Sequence, residues 1–259
     1  VGVYAVIRTQ TLLFPEGWLN GVLMWLALAT MIVGILGAVA QDDIKRLLSF
    51  TLVSHIGFML FGIALGSKAG MTGAIFYVAH HIIVQTALFL VVGLIERRGG
   101  TTSLEHLGGL ARSAPLLGIL FMVPALNLAG IPPMSGFLGK IGLLNAAAQD
   151  GGWLAMVLLA GSLITSVLTL YALIKAWNKA FWQTPPAPLP QVTMPKGMVL
   201  PAAGLITLGL SLSFLAGPLY DYADRTATNL DNPANYIYSV LPDGDRGPGV
   251  SAEVTEVEP

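Results

Sequence analysis

Residues 126–148 read LNLAGIPPMSGFLGKIGLLNAAA, and Lys140 is their only charged side chain. The run is apolar enough for a membrane interior, yet Gly130, Pro132, Pro133 and Gly136 interrupt it just before the lysine. Proline removes a main-chain donor and clashes with the preceding turn, so a helix through this stretch must break. Irregular backbone at membrane depth is tolerated only against protein or water, because lipid satisfies no peptide group. A lysine near a helix centre costs about 2.5–3.5 kcal/mol on insertion scales. The plain reading is an amine that snorkels to the interface. The nearest polar pair, Gln149 and Asp150, lies nine residues on. That is about 14 Å along a helix, beyond comfortable reach. A single buried amine beside a broken helix is what a proton or ion path through a membrane needs.

The rest of the chain fits that setting. Of 259 residues, 54% are hydrophobic and 10% charged, and mean hydropathy is +0.73. Soluble domains carry roughly 25% charge, so an integral membrane protein is expected. The net charge of −1 gives no sign of a nucleic-acid partner. Absence of cysteine excludes disulfides, thiolate metal sites and a cysteine nucleophile. No phosphate loop, paired carboxylates or metal-ligand spacing falls within a span, so neither cofactor nor metal is expected.

A spanning helix needs about 20 apolar residues. Candidate spans cover residues 18–40, 47–65, 71–95, 116–148, 153–182 and 198–219. The fourth is too long for one straight span and contains the proline pair. Residues 1–14 read as the end of a further membrane helix, which predicts a longer parent chain. The expected organisation is therefore all-α: a polytopic helix bundle over residues 15–220, with the broken helix at 116–148. An acidic tail follows at 221–259, expected to be disordered beyond Leu241. Lys45, Arg46, Arg97, Arg98, Arg112, Lys175, Lys179 and Lys196 fall in loops on one side, and Arg8, Lys68, Arg225 and Arg246 on the other. This bias puts the first set in the cytoplasm and the tail outside.

Three histidines join Lys140 inside the spans. Ser54 and His55 lie mid-span in LLSFTLVSHIGFML, and His80 and His81 in AIFYVAHHIIVQTALF. Neutral imidazole both donates and accepts a proton, which suits a relay. His80 and His81 point about 100° apart on a helix, so both cannot face one path. His81 and Gln85 are four apart and share a face. An isolated histidine would more simply bond a carbonyl or hydroxyl on a neighbouring helix, but three histidines with Lys140 favour a relay. Asp42, Asp43, Lys45 and Arg46 open a span. Local ion pairs three and four residues apart, with a cytoplasmic anchor, account for them better than direct ion handling does. Ser135, Asn127, Asn145, Thr165 and Ser166 serve to hold water or join helices. Tyr77, Trp153, Trp177 and Trp182 fit interfacial or packing aromatics.

Four stretches together carry a resemblance. They are AQDDIKRLLSFTLVSHIGFM (40–59), HHIIVQTALFLVVGLIE (80–96), LGGLARSAPLLGILFMVPALNLAGIPPMSGFLGKIGLL (107–144) and ATNLDNPANYIYSVL (227–241). In order and spacing they resemble the antiporter-like subunits shared by Mrp-type cation/proton antiporters and respiratory complex I. Within that family, the double histidine and the tail look most like the D-type Mrp subunits. The resemblance implies a fold of about fourteen helices with inverted repeats, each holding one broken helix, of which this chain would be the C-terminal half. It places Lys140 on the charged position of the broken helix, where relatives have lysine or glutamate. His55 and His81 fall on relay histidines. Gln85 departs from the pattern, since several relatives carry lysine there, and glutamine does not titrate.

The implied activity is exchange of cytoplasmic Na+ for external H+ by a secondary transporter, not an enzyme, in a bacterial inner membrane. Other Mrp subunits and membrane lipid would be its partners. The candidate path is Lys140, His81 and His55, with His80 as a further member and Gln85, Ser54, Pro132, Pro133, Ser135 and Lys45 in support. The alternative is a proton-pumping subunit of a quinone oxidoreductase or membrane-bound hydrogenase.

Overall fold

A computed structural model of the protein describes residues 1–14, 17–185, 192–231, 236 and 240. Every regular element among them is helical, apart from one isolated bridge between Asp43 and Ser103. The helices are α1 (Gly2–Leu13), α2 (Asn20–Ala40), α3 (Ile44–Ala64), α4 (Lys68–Gly99), α5 (Leu110–Ser113), α6 (Pro115–Ala129), α7 (Ser135–Asp150), α8 (Trp153–Trp177), α9 (Lys196–Phe214) and α10 (Ala216–Asp231). A π-helical turn, Asn178–Trp182, extends α8. Five of these segments are long and apolar enough to cross a membrane: α2, α3, α4, α8 with its π-turn, and α9. The chain is a multi-pass membrane protein.

Local chemistry sets the ends. The Ser67 side chain accepts the Gly70 N–H to cap α4, and Gly100 closes it in the left-handed conformation with Arg97 and Arg98 in the last turn. Asp43 caps α3 by accepting the Arg46 N–H and is also bonded by the Thr102 hydroxyl. Pro115 opens α6, where a missing N–H costs nothing. The apolar run 116–148 is two helices, α6 and α7, separated by residues 130–134 with a cis bond between Pro132 and Pro133.

Helix α4 is the hub, packed by α3, α6, α7, α9 and α10. One apolar core joins α3, α4, α6 and α8 around Leu88, Val91, Leu117 and Phe121. A second joins α2, α3, α7 and α8 around Met31, Phe58 and Leu143. The expected last span, 198–219, ends earlier: α9 stops at Phe214, and Pro218 falls in the first turn of α10. Residues 216–231 form this amphipathic helix, which buries Ala223 and Ala227. Residues 242–259, where disorder was expected, lie outside the described residues.

Ion pairs tie each end of the bundle. At one end Lys45 meets Glu96 at 2.6 Å, and Asp42 takes Lys175 and Lys179, each at 3.1 Å. The hydrogen bonds of Lys179 and Lys175 hold the Asp42 carboxyl below its usual range. Lys175 also donates to the carbonyls of Val39 and Gln41 at 3.1 and 2.9 Å, ending α2 with a cation. The Asp42 and Asp43 side chains thus turn away from the local Lys45 and Arg46 side-chain pairs that spacing offered. Lysines from α8 and its π-turn are nearer Asp42, and helix capping occupies Asp43. At the other end Lys68 pairs with Asp224 of α10 at 2.8 Å and lowers its pKa.

Candidate functional site

The break between α6 and α7 leaves unmet carbonyls on one side and unmet N–H groups on the other. On the α6 side, Gly130 (φ +86°) lets the chain turn back, and the N–H groups of Gly130 and Ile131 reach the Leu126 carbonyl. Lys140 then reaches back across the gap and donates to the Ala129 carbonyl at 2.8 Å. A cation at the negative end of a helix dipole is favourable. On the α7 side, Asn127 Oδ1 accepts the Gly136 N–H at 3.0 Å, and Ser213 Oγ of α9 accepts the Ser135 N–H at 2.9 Å. The amine and the amide side chain together satisfy a helix break that lipid could not.

Lys140 is 6% exposed, so its amine is buried and does not snorkel. Its Nζ stands 5.2 Å from the centre of the Phe58 ring, in cation–π range. Gly130 is tight against it: a Cβ there would sit 3.0 Å from Lys140 Cδ and 3.3 Å from Nζ.

A row of rings runs alongside on α3 and α4. The His55 and His81 centroids are 5.1 Å apart. Tyr77 lies 5.5 Å from His80 and 6.2 Å from His81, and its hydroxyl is 3.0 Å from His55 Nδ1. The two adjacent histidines do diverge: His81 lies beside His55 with the rings tilted by 42°, while His80 Nδ1 meets Ser135 Oγ at 2.9 Å, at the break itself. His55, His80 and Tyr77 are wholly buried. The Nε2 atoms of all three histidines are buried without a hydrogen-bond partner. Groups of this kind are costly unless water or a passing proton meets them.

The candidate residues divide accordingly. His55, His80, His81, Ser135 and Lys140 gather around the break, with Pro132 and Pro133 in its loop. Gln85 is buried one turn beyond His81, its Nε2 donating to the Leu48 carbonyl at 2.8 Å and its Oε1 unpartnered. Ser54 joins α3 to α2 through the Met31 carbonyl at 2.9 Å. Lys45 is half exposed in its pair with Glu96, ten residues and about 15 Å along the helix from His55. Among the described residues no hydrogen bond links Lys140 to a histidine, and no cluster of ligands could hold a metal ion.

Two residues carry more of the geometry than the sequence assigned them. Tyr77 is a packing aromatic by composition, yet it touches all three buried histidines. The available signal was its spacing, three and four positions before His80 and His81, on one helix face. Asn127 caps α7 and also lies 3.3 Å from the Ser135 hydroxyl. Its partners lie across the break, so no local pattern announced it.

Residues 1–169 match the family described as NADH:quinone oxidoreductase/Mrp antiporter, transmembrane. The D-type Na(+)/H(+) antiporter subunit of Alkalihalophilus pseudofirmus is 39% identical over 93% of this chain and 49% of its own length. The chain spans about half the length of the curated relatives it matches. Among solved structures, the Mrp complex of a Dietzia species superposes with a TM-score of 0.83 at 32% identity, covering 93% of this chain and 53% of that one. Respiratory complex I of Thermus thermophilus superposes at 0.75 and 30% identity, over 89% and 49% of the two chains. The match over residues 1–169, and the helix break with its buried lysine and histidines, agree: the chain belongs to the NADH:quinone oxidoreductase/Mrp antiporter transmembrane family.

Proposed function

We propose that this chain forms the proton-translocating part of a subunit in a multisubunit Na+/H+ antiporter, exchanging cytoplasmic Na+ for external H+. It acts as a secondary transporter within a hetero-oligomer of Mrp-type subunits, in a bacterial inner membrane. The excess of lysine and arginine around Lys45, Arg97 and Lys175 faces the cytoplasm, which leaves α10 and the tail outside. The observation that carries the reading is Lys140, a buried amine whose one hydrogen-bond partner among the described residues is a helix-end carbonyl beside a row of buried histidines. Such an amine exchanges its proton when a neighbouring charge arrives or leaves. His81 and His55 extend the route across α3 and α4, and His80 opens it toward Ser135 at the break. Among the described residues no hydrogen bond joins one of these histidines to another or to Lys140, so water completes the transfers.

The antiporter assignment is supported by the D-type Na(+)/H(+) antiporter subunits among the relatives, and a redox-driven proton pump is the weaker rival because the complex I likeness is lower. Vesicles carrying the whole complex with Lys140→Ala test the reading. Sodium-dependent proton exchange should be lost while the complex still assembles, and wild-type exchange would overturn it.

A further inference from the structure

The hydrogen bonds around His55 and His80 settle which ring nitrogen holds each proton. Tyr77 Oη and His55 Nδ1 are 3.0 Å apart, and the phenol has no other partner among the described residues. If Nδ1–H donated, the phenol O–H and the Nε2 lone pair would both be left unmet in the core. If the phenol donates, only the Nε2–H is unmet. A buried unmet polar group costs about 1–3 kcal/mol, so the phenol donates and His55 carries its proton on Nε2.

His80 has the opposite surroundings. Ser135 Oγ lies 2.9 Å from His80 Nδ1, 3.3 Å from Asn127 Oδ1 and 3.4 Å from the Gly209 carbonyl. Both oxygens accept only, since Asn127 Oδ1 already takes the Gly136 N–H. The serine proton therefore has an acceptor on the far side, and its oxygen is free to take the Nδ1–H of His80. This arrangement makes two bonds, whereas the reverse makes one and strands a donor at Nε2.

We propose that Tyr77 and the Ser135–Asn127 pair lock His55 and His80 in opposite tautomers, His55 with its proton on Nε2 and His80 with its proton on Nδ1. The two unpartnered Nε2 atoms then differ: His55 offers a proton there, and His80 offers a lone pair. Along the buried row this gives the proton path a direction, set by two helices and a helix break rather than by the histidines alone. Tyr77 and Asn127 are positioning residues that act through the rings. The inference deepens the proton-path reading and rests on it for its consequence, not for its geometry.

Nitrogen-15 NMR of histidine-labelled complex in lipid bilayers reads the tautomers directly, with His55→Gln and His80→Gln supplying the assignments. The expected result is a bare Nδ1 on His55 and a bare Nε2 on His80. Tyr77→Phe, which removes one oxygen and keeps the ring packing, should shift the His55 signals alone. Ser135→Ala should shift those of His80 alone. Exchange in the Tyr77→Phe complex should slow about three- to tenfold, as for one lost hydrogen bond. The opposite tautomer, or a mixture, at either ring in the wild-type complex would overturn the assignment. Shifted tautomers with wild-type exchange would overturn the directional role. Both results are separable from the Lys140→Ala test, which bears on the transport reading itself.

Discussion

Gly136→Ala probes the helix break with the smallest possible change. A Cβ at Gly136 would overlap the main-chain oxygen of Asn127 and lie 3.0 and 3.1 Å from Nε2 and Cε1 of His80. The first of these is backbone, so no flexible side chain absorbs the clash and α6 and α7 must separate. Overpacking of this kind costs about 1–3 kcal/mol. The separation also weakens the Gly136 N–H to Asn127 and His80 to Ser135 hydrogen bonds, each worth about 0.5–1.5 kcal/mol. A total loss of about 2–6 kcal/mol is expected. It should lower the melting temperature of the detergent-solubilised complex by several degrees, together with a loss of exchange in vesicles. Gly93→Ala is the control: nothing lies within 4 Å of its Cβ position. A methyl added to a helix where space is open should be neutral or stabilise by up to about 1 kcal/mol. Identical melting and exchange for the two variants would refute the reasoning about the break.

Two further perturbations separate the ends of the bundle from its centre. Asp42 is held below its ordinary value of 3.8 by hydrogen bonds from Lys179 and Lys175, so its contribution to the α2–α3 junction is present above about pH 4 and lost as pH falls through the lowered value. Protection from hydrogen exchange at residues 39–46, taken relative to the intrinsic rate at each pH, should fall on acidification in the wild type and lose that component in Asp42→Asn; equal acid sensitivity would contradict the pairing. Gln85→Lys keeps a donor for the Leu48 carbonyl and removes the unpartnered Oε1, so the variant should assemble and exchange at least as fast as wild type. Failure to assemble would show that the amide is needed there.

Much of this architecture is legible in the sequence because membrane solvation leaves few options. Gly130 and the proline pair can only break a helix, and an amine nine residues from the nearest polar pair can only be buried. Both follow from local chemistry. The partners of Asp42 did not: Lys175 and Lys179 are more than 130 residues away in sequence, and helix spacing offered nearer cations that the capping of α3 takes out of play. Tyr77 was read by type, since a tyrosine in a span is usually an interfacial anchor, and its bond to His55 crosses from α4 to α3. The end of the last span was misplaced for a simpler reason. Apolar residues continue past Phe214, and hydropathy alone does not register the new helix that begins before Pro218.

The central claim is that Lys140 works through its proton and not through its packing. Sodium-dependent proton exchange in vesicles, compared for Lys140→Glu and Lys140→Met in the assembled complex, tests it most directly. The claim predicts measurable exchange with glutamate, with a displaced pH profile, and none with methionine. Exchange by the methionine variant at the wild-type rate would contradict it.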